Sequence, residues 1–295
     1  RSDGAAAYNF AAVVDDHLMK VSHVIRGEDH LANTSRQVLV YDALGFPVPR
    51  FAHLSMILGP DRSPLSKRHG VTSISHFREE GYLAEGLCNY LALLGWSSET
   101  GREIFSREEL IGDFSLARLS RSPAVFDPEK LKWVNRAHLK ALSGEARIES
   151  AAPFLTRAGL DRDGLGRSRI PDALDLVWDE IDTLSQLAPR LKFLSDREWA
   201  LAPEAETLLA REDSRKLIRI FREEIRSAED INSENCDTIL SGVAKKAGVS
   251  GRAFFMPLRA LLTGATHGPE LKKILVLLGR EKTLKRADLV LRENG

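Results

Sequence analysis

The stretch PLSKRHG (64–70) sets a serine, a lysine, an arginine and a histidine in succession, ends on a glycine and contains no acid. Those side chains suit phosphate. Lys67 is a mobile point charge, Arg68 can fork two oxygens, and Gly70 lets the backbone turn where a side chain would block it. A lysine that meets charge as it develops on a pentacoordinate phosphorus would stabilise nucleotidyl transfer. The same residues also suit a solvated loop, so the stretch needs company. VIRGEDH (24–30) and YNFAAVVDD (8–16) supply candidates. Arg26 could bind a carboxylate while Glu28 and Asp29 orient ribose or amino groups, or it could form a structural ion pair. Tyr8 also fits a core aromatic, and Asp15 and Asp16 fit strand-end caps. His23 and His30 lack a third ligand at a metal-binding spacing, which favours structural histidines over zinc.

These residues need elements to position them. YNFAAVVDD reads as a buried strand and VSHVIRGEDH (21–30) as a second short strand, each ending in charge. NTSRQVLVYDALGFPVP (33–49) reads as a helix, with Thr34 and Gln37 as a capping box and Gly45 and Pro47 as the stop. FAHLSMILG (51–59) is a third apolar run that leads into PLSKRHG. Strands that end in charge and feed helices imply a parallel sheet, whose ligands gather at the strand C-termini. Beyond Gly70 the pattern turns helical. AEGLCNYLALLGW (84–96) reads as a buried helix, Ser106 with Glu109 as a capping box, and Asp127-Pro128 as a helix start. From about residue 147 only amphipathic helices are expected, DALDLVWDEIDTLSQLAPRLKFL (172–194) and DSRKLIRIFREEI (213–225) among them.

The chain has 295 residues, 43% of them hydrophobic and 28% charged, and its formal net charge is zero. That composition is ordinary for a globular protein, and no apolar run is long enough to span a bilayer. Cys88 and Cys236 have no CxxC partner, which argues against a zinc site and against a disulfide framework and fits a reducing cytosol. Residues 245–295 carry eleven cations against four acids, an excess of seven in a neutral chain. Such asymmetry fits a polyanionic partner such as nucleic acid, and it fits a solvated helical face equally well.

Taken together, several long stretches resemble the bacterial-type glutamyl-tRNA synthetases, a family of class I aminoacyl-tRNA synthetases. They are RSDGAAAYNFAAVVDDHLM, VSHVIRGEDHLANTSRQVLVYDALG, LSKRHGVTSISHFREEGYLAEGLCNYLALLGW, FDPEKLKWVNRAHL and FFMPLRALLTGATHGPELKKILVLLG. The likeness runs from Arg1 almost to Gly295 with the family's spacing. It implies an α/β then mainly α fold. Residues 1–62 would be the second half of a Rossmann catalytic domain, and 63–147 a KMSKS-like loop with a stem-contact fold. Residues 148–205 and 206–295 would be two all-helical anticodon-binding subdomains.

The resemblance also implies roles. PLSKRHG takes the place of the KMSKS-like loop, with Lys67 as the catalytic lysine and Ser66, Lys67 and Arg68 on the ATP phosphates. Pro64 replaces that loop's first lysine, and Ala6-Ala7 replace the usual Pro-Thr. Glu28, Asp29 and His30 border the ATP ribose and adenine. Tyr8 and Arg26 face glutamate. Arg190 reads the third anticodon base, and Arg259 and Leu271 make other anticodon-loop contacts. The implied activity is glutamate–tRNA ligation in the cytoplasm by a monomer. Its partners would be glutamate tRNA, L-glutamate and ATP with Mg2+ as substrate, with no zinc and no membrane. No His-x-Gly-His motif occurs in the chain. The expectation is therefore a C-terminal fragment, about three-fifths of the enzyme, that is inactive alone. The alternative is a non-catalytic tRNA-binding module. A paralogue that glutamylates a modified tRNA base would lack the helical half, and a glutaminyl enzyme would end in β-barrels.

Overall fold

The computed structural model describes residues 2–66, 73–160, 169–196 and 199–292. The chain divides into two compact units, residues 1–138 and 139–295.

The first unit opens with helix α1 (Tyr8–Leu18), where the sequence suggested a strand. A short apolar run does not distinguish the two by periodicity. Ala11 and Ala12 favour helix, and Phe10, Val13, Val14 and His17 recur every three to four residues, so one stripe packs on α2 (Leu31–Leu44). Val13 is buried on that stripe. Asp15 and Asp16 accordingly lie in the last turn of a helix and cap no strand. Strand β1 (His23–Gly27) follows as expected and pairs in parallel with β2 (Arg50–Leu54), with Arg26 opposite His53. The crossover between them is α2, which stops at Gly45 in the left-handed conformation. Thr34 and Gln37 are no capping box. The helix starts at Leu31, three residues earlier, and His30 precedes it without a side-chain cap. Both side chains serve the site described below.

Strand β3 (Ile57–Leu58) pairs in parallel with β4 (Ala124–Val125). Between them lie α3 (Ile74–Glu79), α4 (Ala84–Gly95) and α5 (Arg107–Asp113). Ser106 and Glu109 form the expected capping box, with reciprocal bonds to the backbone of the first turn. The Asp127 carboxylate accepts from the Glu129 and Lys130 amides at the start of α6 (Pro128–Ala141). Phe77, Leu87, Tyr90, Leu94, Leu131 and Val134 close one core around α4. Asn89, on the buried face of α4, bonds Glu103 O, Phe105 N and His138 Nε2, so its amide ties three segments together.

The regular elements of the second unit are all helices among its described residues: α7 (Gly144–Arg157), α8 (Ile170–Asp175), α9 (Leu187–Leu191), α10 (Pro203–Leu209), α11 (Glu212–Ser227), α12 (Cys236–Ala247), α13 (Arg252–Thr263) and α14 (Leu271–Arg292). The stretch 172–194 departs from the long amphipathic helix its pattern suggested. It breaks into α8, α9 and single 3-10 turns. Pro189 lacks an N–H and would clash with the carbonyl four residues back, so it is tolerated only in the first turn of a new helix, where it stands in α9.

The terminal excess of cations is largely spent inside this unit. Lys282 Nζ donates to Leu194 O at 2.8 Å, and Arg280 Nη2 donates to Arg226 O at 3.0 Å. Lys285 pairs with Asp196 at 2.9 Å, while Lys246 and Lys272 bind Glu224 and Asp237. Arg286 is 3% exposed; it donates to Phe193 O at 2.6 Å and to Leu262 O and lies over the Trp199 ring. Burial pushes its guanidinium down to about 10, against the pull of Asp196, so it stays charged at neutral pH. Six of the eleven cations are thus structural ties.

Partial burial alone would raise the Asp196 carboxyl. The Lys285 hydrogen bond and the charges of Lys282, Lys285 and Arg286 outweigh it and hold the group below the usual Asp range. A lowered folded-state pKa contributes stability that is fully present above the unfolded value, about 3.9, and is lost as pH falls through the folded value. Asp196→Asn is therefore expected to lower the urea midpoint at pH 7 and at pH 5, with the gap to wild type narrowing below pH ~4. Urea melts followed by circular dichroism across that range check the sign, and a gap that widens toward acid would refute it.

Candidate active site and nucleic-acid interface

Strand β1 ends in Arg26 and Gly27, and the chain turns at once into the single 3-10 turn Glu28–His30 that leads into α2. This brings five of the sequence-derived candidates, Tyr8, Arg26, Glu28, Asp29 and His30, to the carboxyl end of a parallel strand, the usual ligand edge of such sheets. Arg26 is the centre. Its Nη2 donates to Thr34 Oγ1 and to Gln37 Oε1, each at 2.7 Å, and its guanidinium lies 5.5 Å from the Phe51 ring centroid. Its Nε is buried without a hydrogen-bond partner, and no carboxylate among the described residues pairs with the group. The structural ion pair weighed for Arg26 does not form. Both hydrogen-bond partners are uncharged, so the cation remains uncompensated.

A further shell fixes those partners. Gln37, 2% exposed, donates through Nε2 to Asn9 Oδ1 at 3.2 Å, which links α2 to α1 beside Tyr8. Thr34 Oγ1 shares a 2.9 Å hydrogen bond with His53 Nε2. Burial, then the nearby charges of Arg26 and His30, push His53 below the ordinary histidine value, which leaves it neutral at pH 7. Tyr8 is about half exposed, and its ring centroid is 5.8 Å from that of His30. Glu28 Oε1 accepts from Met56 N at 3.1 Å, and Asp29 lies 3.7 Å from His30 Nε2. Asn9 and His53 carry no signal in the sequence, which gives Thr34 and Gln37 only as a capping box. That i, i+3 pair reads identically as a cap until the helix start is known.

The loop after β3 returns on itself before the basic stretch. Pro64 forms an antiparallel bridge with Leu58, and Leu65 N donates to Ile57 O at 2.8 Å. A proline at 64 loses no bond there, because it is Leu65 that supplies the N–H. Ser66 is the last described residue of this segment; Lys67, Arg68 and the rest of 67–72 lie outside the described residues. Among the described residues no cluster of three His, Cys, Asp or Glu side chains could hold a metal ion, and no helix is long and apolar enough to cross a membrane.

In the second unit the anticodon candidates fall at two places. Arg190 extends from α9, its Nη1 on Glu180 Oε2 at 2.9 Å and its Nη2 on Glu180 O at 3.1 Å. Arg259, from α13, lines a concavity of about 560 Å³ with Phe254, Phe255, Leu271 and Lys272. Its Nε is buried and unpartnered. Leu271, at the start of α14, is 2% exposed and forms part of the wall.

The comparisons with known proteins fit this architecture. Residues 1–133 match the family described as tRNA synthetases class I (E and Q), catalytic domain, and residues 146–291 match the anticodon binding domain family. The chain belongs to the class I tRNA synthetases of the E and Q type: part of a class I catalytic domain followed by an anticodon-binding domain. Within that class the relatives it matches are glutamate–tRNA ligases. It is 44% identical over 292 residues to glutamate–tRNA ligase 1 of Caldicellulosiruptor saccharolyticus, covering 98% of this chain and 60% of that protein. It is 45% identical over 288 residues to the glutamate–tRNA ligase of Aquifex aeolicus, covering 97% of this chain and 60% of that protein. A glutamate tRNA ligase from Elizabethkingia meningosepticum, solved in complex with its amino acid, superposes with a TM-score of 0.84 at 30% identity, covering 98% of this chain and 60% of that one. The chain thus spans about 60% of the length of the relatives it matches.

Gln37 couples Arg26 to α1, so its loss is expected to be felt in stability before chemistry. Gln37→Leu leaves Asn9 without its donor and removes one acceptor from a half-buried cation. A cost of about 1–3 kcal/mol is expected, read from urea unfolding. A change within about 0.5 kcal/mol would mean that water replaces the amide at no cost.

Proposed function

We propose that this chain is the C-terminal three-fifths of a glutamate–tRNA ligase, which joins L-glutamate to the 3' end of glutamate tRNA at the expense of ATP. The observation that carries the reading is the uncompensated Arg26 guanidinium. It is pinned by Thr34 and Gln37 at the carboxyl end of β1, beside Tyr8 and His30. A fixed cation with no internal counter-charge is what a substrate carboxylate needs, and a guanidinium held on one edge still offers donors on another.

In this reading Arg26 and Tyr8 hold glutamate, and Glu28, Asp29 and His30 border the ribose and adenine of ATP. Ser66, Lys67 and Arg68 attend the phosphates, with Mg2+ arriving on ATP. The reacting carboxylate attacks the α-phosphorus and pyrophosphate leaves. Lys67 supplies positive charge where the pentacoordinate phosphorus develops negative charge. The terminal ribose hydroxyl of the tRNA then attacks the acyl carbon of the adenylate and AMP departs. Residues 1–62 and 63–147 serve activation and the tRNA stem, and 148–205 and 206–295 serve the anticodon. Arg190, Arg259 and Leu271 touch anticodon-loop bases. The protein acts as a monomer in the cytoplasm, and the terminal cations that make no internal tie add phosphate contacts.

The reading is tested in the full-length enzyme. Arg26→Gln is expected to raise the KM for glutamate by at least about tenfold, equivalent to roughly 1.4 kcal/mol, with the KM for ATP little changed. Equal effects on both substrates, or on neither, would remove Arg26 from the glutamate site.

Arg190 carries a separate expectation. Glutamate and glutamine tRNAs differ at the third anticodon base, C against G. An arginine only donates, so it pairs with O2 and N3 of cytosine and opposes the N1–H and N2–H₂ of guanine. Arg190→Gln should narrow the preference for glutamate tRNA by roughly ten- to a hundredfold, following the 1–3 kcal/mol of a base-edge contact. Binding titrations with both tRNAs at fixed salt check this. Equal weakening of the two would make Arg190 a structural cation.

A further inference from the structure

Helix α14 is broken. Gly279 has φ 68° and ψ −178°, a conformation outside the helix and in the left-handed range of φ that side chains disfavour. The break exposes a choice of partner for Leu277 O. In a straight helix it would accept from the amide four residues ahead, that of Glu281. Here Arg169, which immediately precedes α8, donates to it through Nη1 at 2.9 Å, and the same guanidinium lies 3.5 Å from where a Cβ on Gly279 would stand.

The two halves of α14 do different work. The half after the break is tied to carbonyls elsewhere in the unit: Arg280 to Arg226 O, Lys282 to Leu194 O, and Arg286 to Phe193 O. The half before it begins with Leu271 and Lys272, which form one wall of the concavity that Arg259 lines. Its polar ties are the Lys272–Asp237 pair and a 3.8 Å contact from Cys236 Sγ to Lys272 O, and Leu271, Ile274, Leu275, Leu277 and Leu278 are buried along it. From Gly279 to Leu271 is eight residues, about 12 Å of helix. A change of about 20° in axis direction at the break therefore moves Leu271 by roughly 4 Å, more than a base contact tolerates.

We propose that Arg169 is a positioning residue: by capping Leu277 O at the Gly279 break, it sets the angle of the first half of α14 and so shapes the Arg259 concavity to accept one nucleobase. The inference deepens the anticodon reading proposed above and rests on it. It assigns base selectivity at this concavity to a side chain that need not touch the RNA. With Arg169 removed, Leu277 O is freed for the Glu281 amide, α14 tends to straighten, and the wall shifts away from Arg259.

The test uses the 295-residue chain and the anticodon stem-loop RNA of a glutamate tRNA, with each loop base replaced in turn and affinity read by fluorescence anisotropy. Arg259→Ala identifies the position its concavity reads, as the one whose discrimination disappears. Arg169→Ala is expected to cut discrimination at that same position by about tenfold or more, and to leave the position read by Arg190 unchanged. Arg169→Lys, which keeps a donor for Leu277 O, should retain most of it. Gly279→Ala, which disfavours the positive φ, should reproduce the loss and serves if Arg169→Ala does not fold. Discrimination within about threefold of wild type in Arg169→Ala or Gly279→Ala, or equal losses at every position, overturns the positioning role while leaving Arg259 in place. If Arg259→Ala alters no position, both the anticodon reading of the concavity and this inference fall.

Discussion

The second unit depends on one buried charge. Arg286 is almost wholly removed from water, and such a group is costly unless its donors are used. It reaches the carbonyls of Phe193 and Leu262, which lie on segments far apart in the chain, and stacks on Trp199. Carbonyls at helix ends have no partner within their own helix, so a guanidinium among them both satisfies them and fixes their relative place. Removing it would leave those carbonyls unpaired and Asp196 without part of its counter-charge. Lys282, also on α14, repeats the device on the carbonyl of Leu194, and Lys285 pairs with the Asp196 carboxylate. The helix acts as a spine that tethers α13, the turn after α9 and the segment around Asp196.

Arg26 uses the same chemistry to the opposite end. Arg286 spends its donors on the fold, whereas Arg26 spends one nitrogen on Thr34 and Gln37 and keeps its charge uncompensated. The difference lies in the partners. Carbonyls and Asp196 surround the buried group, whereas a hydroxyl and an amide hold the other without neutralising it. A fixed cation of that kind is preorganised for an anion from outside, and the neutral His53 behind Thr34 avoids adding a second charge to the same pocket.

Much of the site could be read from residue order. VSHVIRGEDH reads as a short strand ending in charge, and the strand does end at Arg26 and Gly27, just before Glu28 and Asp29. Ser106 with Glu109 and Asp127 with Pro128 announce helix starts that form as read, because a cap depends only on residues a few positions apart. YNFAAVVDD reads as a strand but forms a helix, because a short apolar run within nine residues serves either equally well, and packing against α2 decides between them. Thr34 and Gln37 were assigned to a cap for a similar reason: their partner is Arg26, eight and eleven residues away across a turn.

The sequence by itself determined what is local and what is repeated by descent. That comprises the α/β start, the helical second half, the caps and stops, and the family to which the long motifs point. Tertiary structure alone decided which cations are free. The cation excess of residues 245–295 fits an RNA-facing surface or a solvated helical face equally well, yet six of those charges engage carbonyls and carboxylates contributed by distant segments. A count of charge along a chain carries no information on where the chain's unpaired carbonyls will lie. Those positions exist only once helices have ended and packed. The same holds for the break at Gly279, where Leu277 O accepts from Arg169, more than a hundred residues earlier. Local propensity sets where elements can begin and end, while long-range hydrogen bonding selects which donors are consumed by the fold and which are left for a ligand.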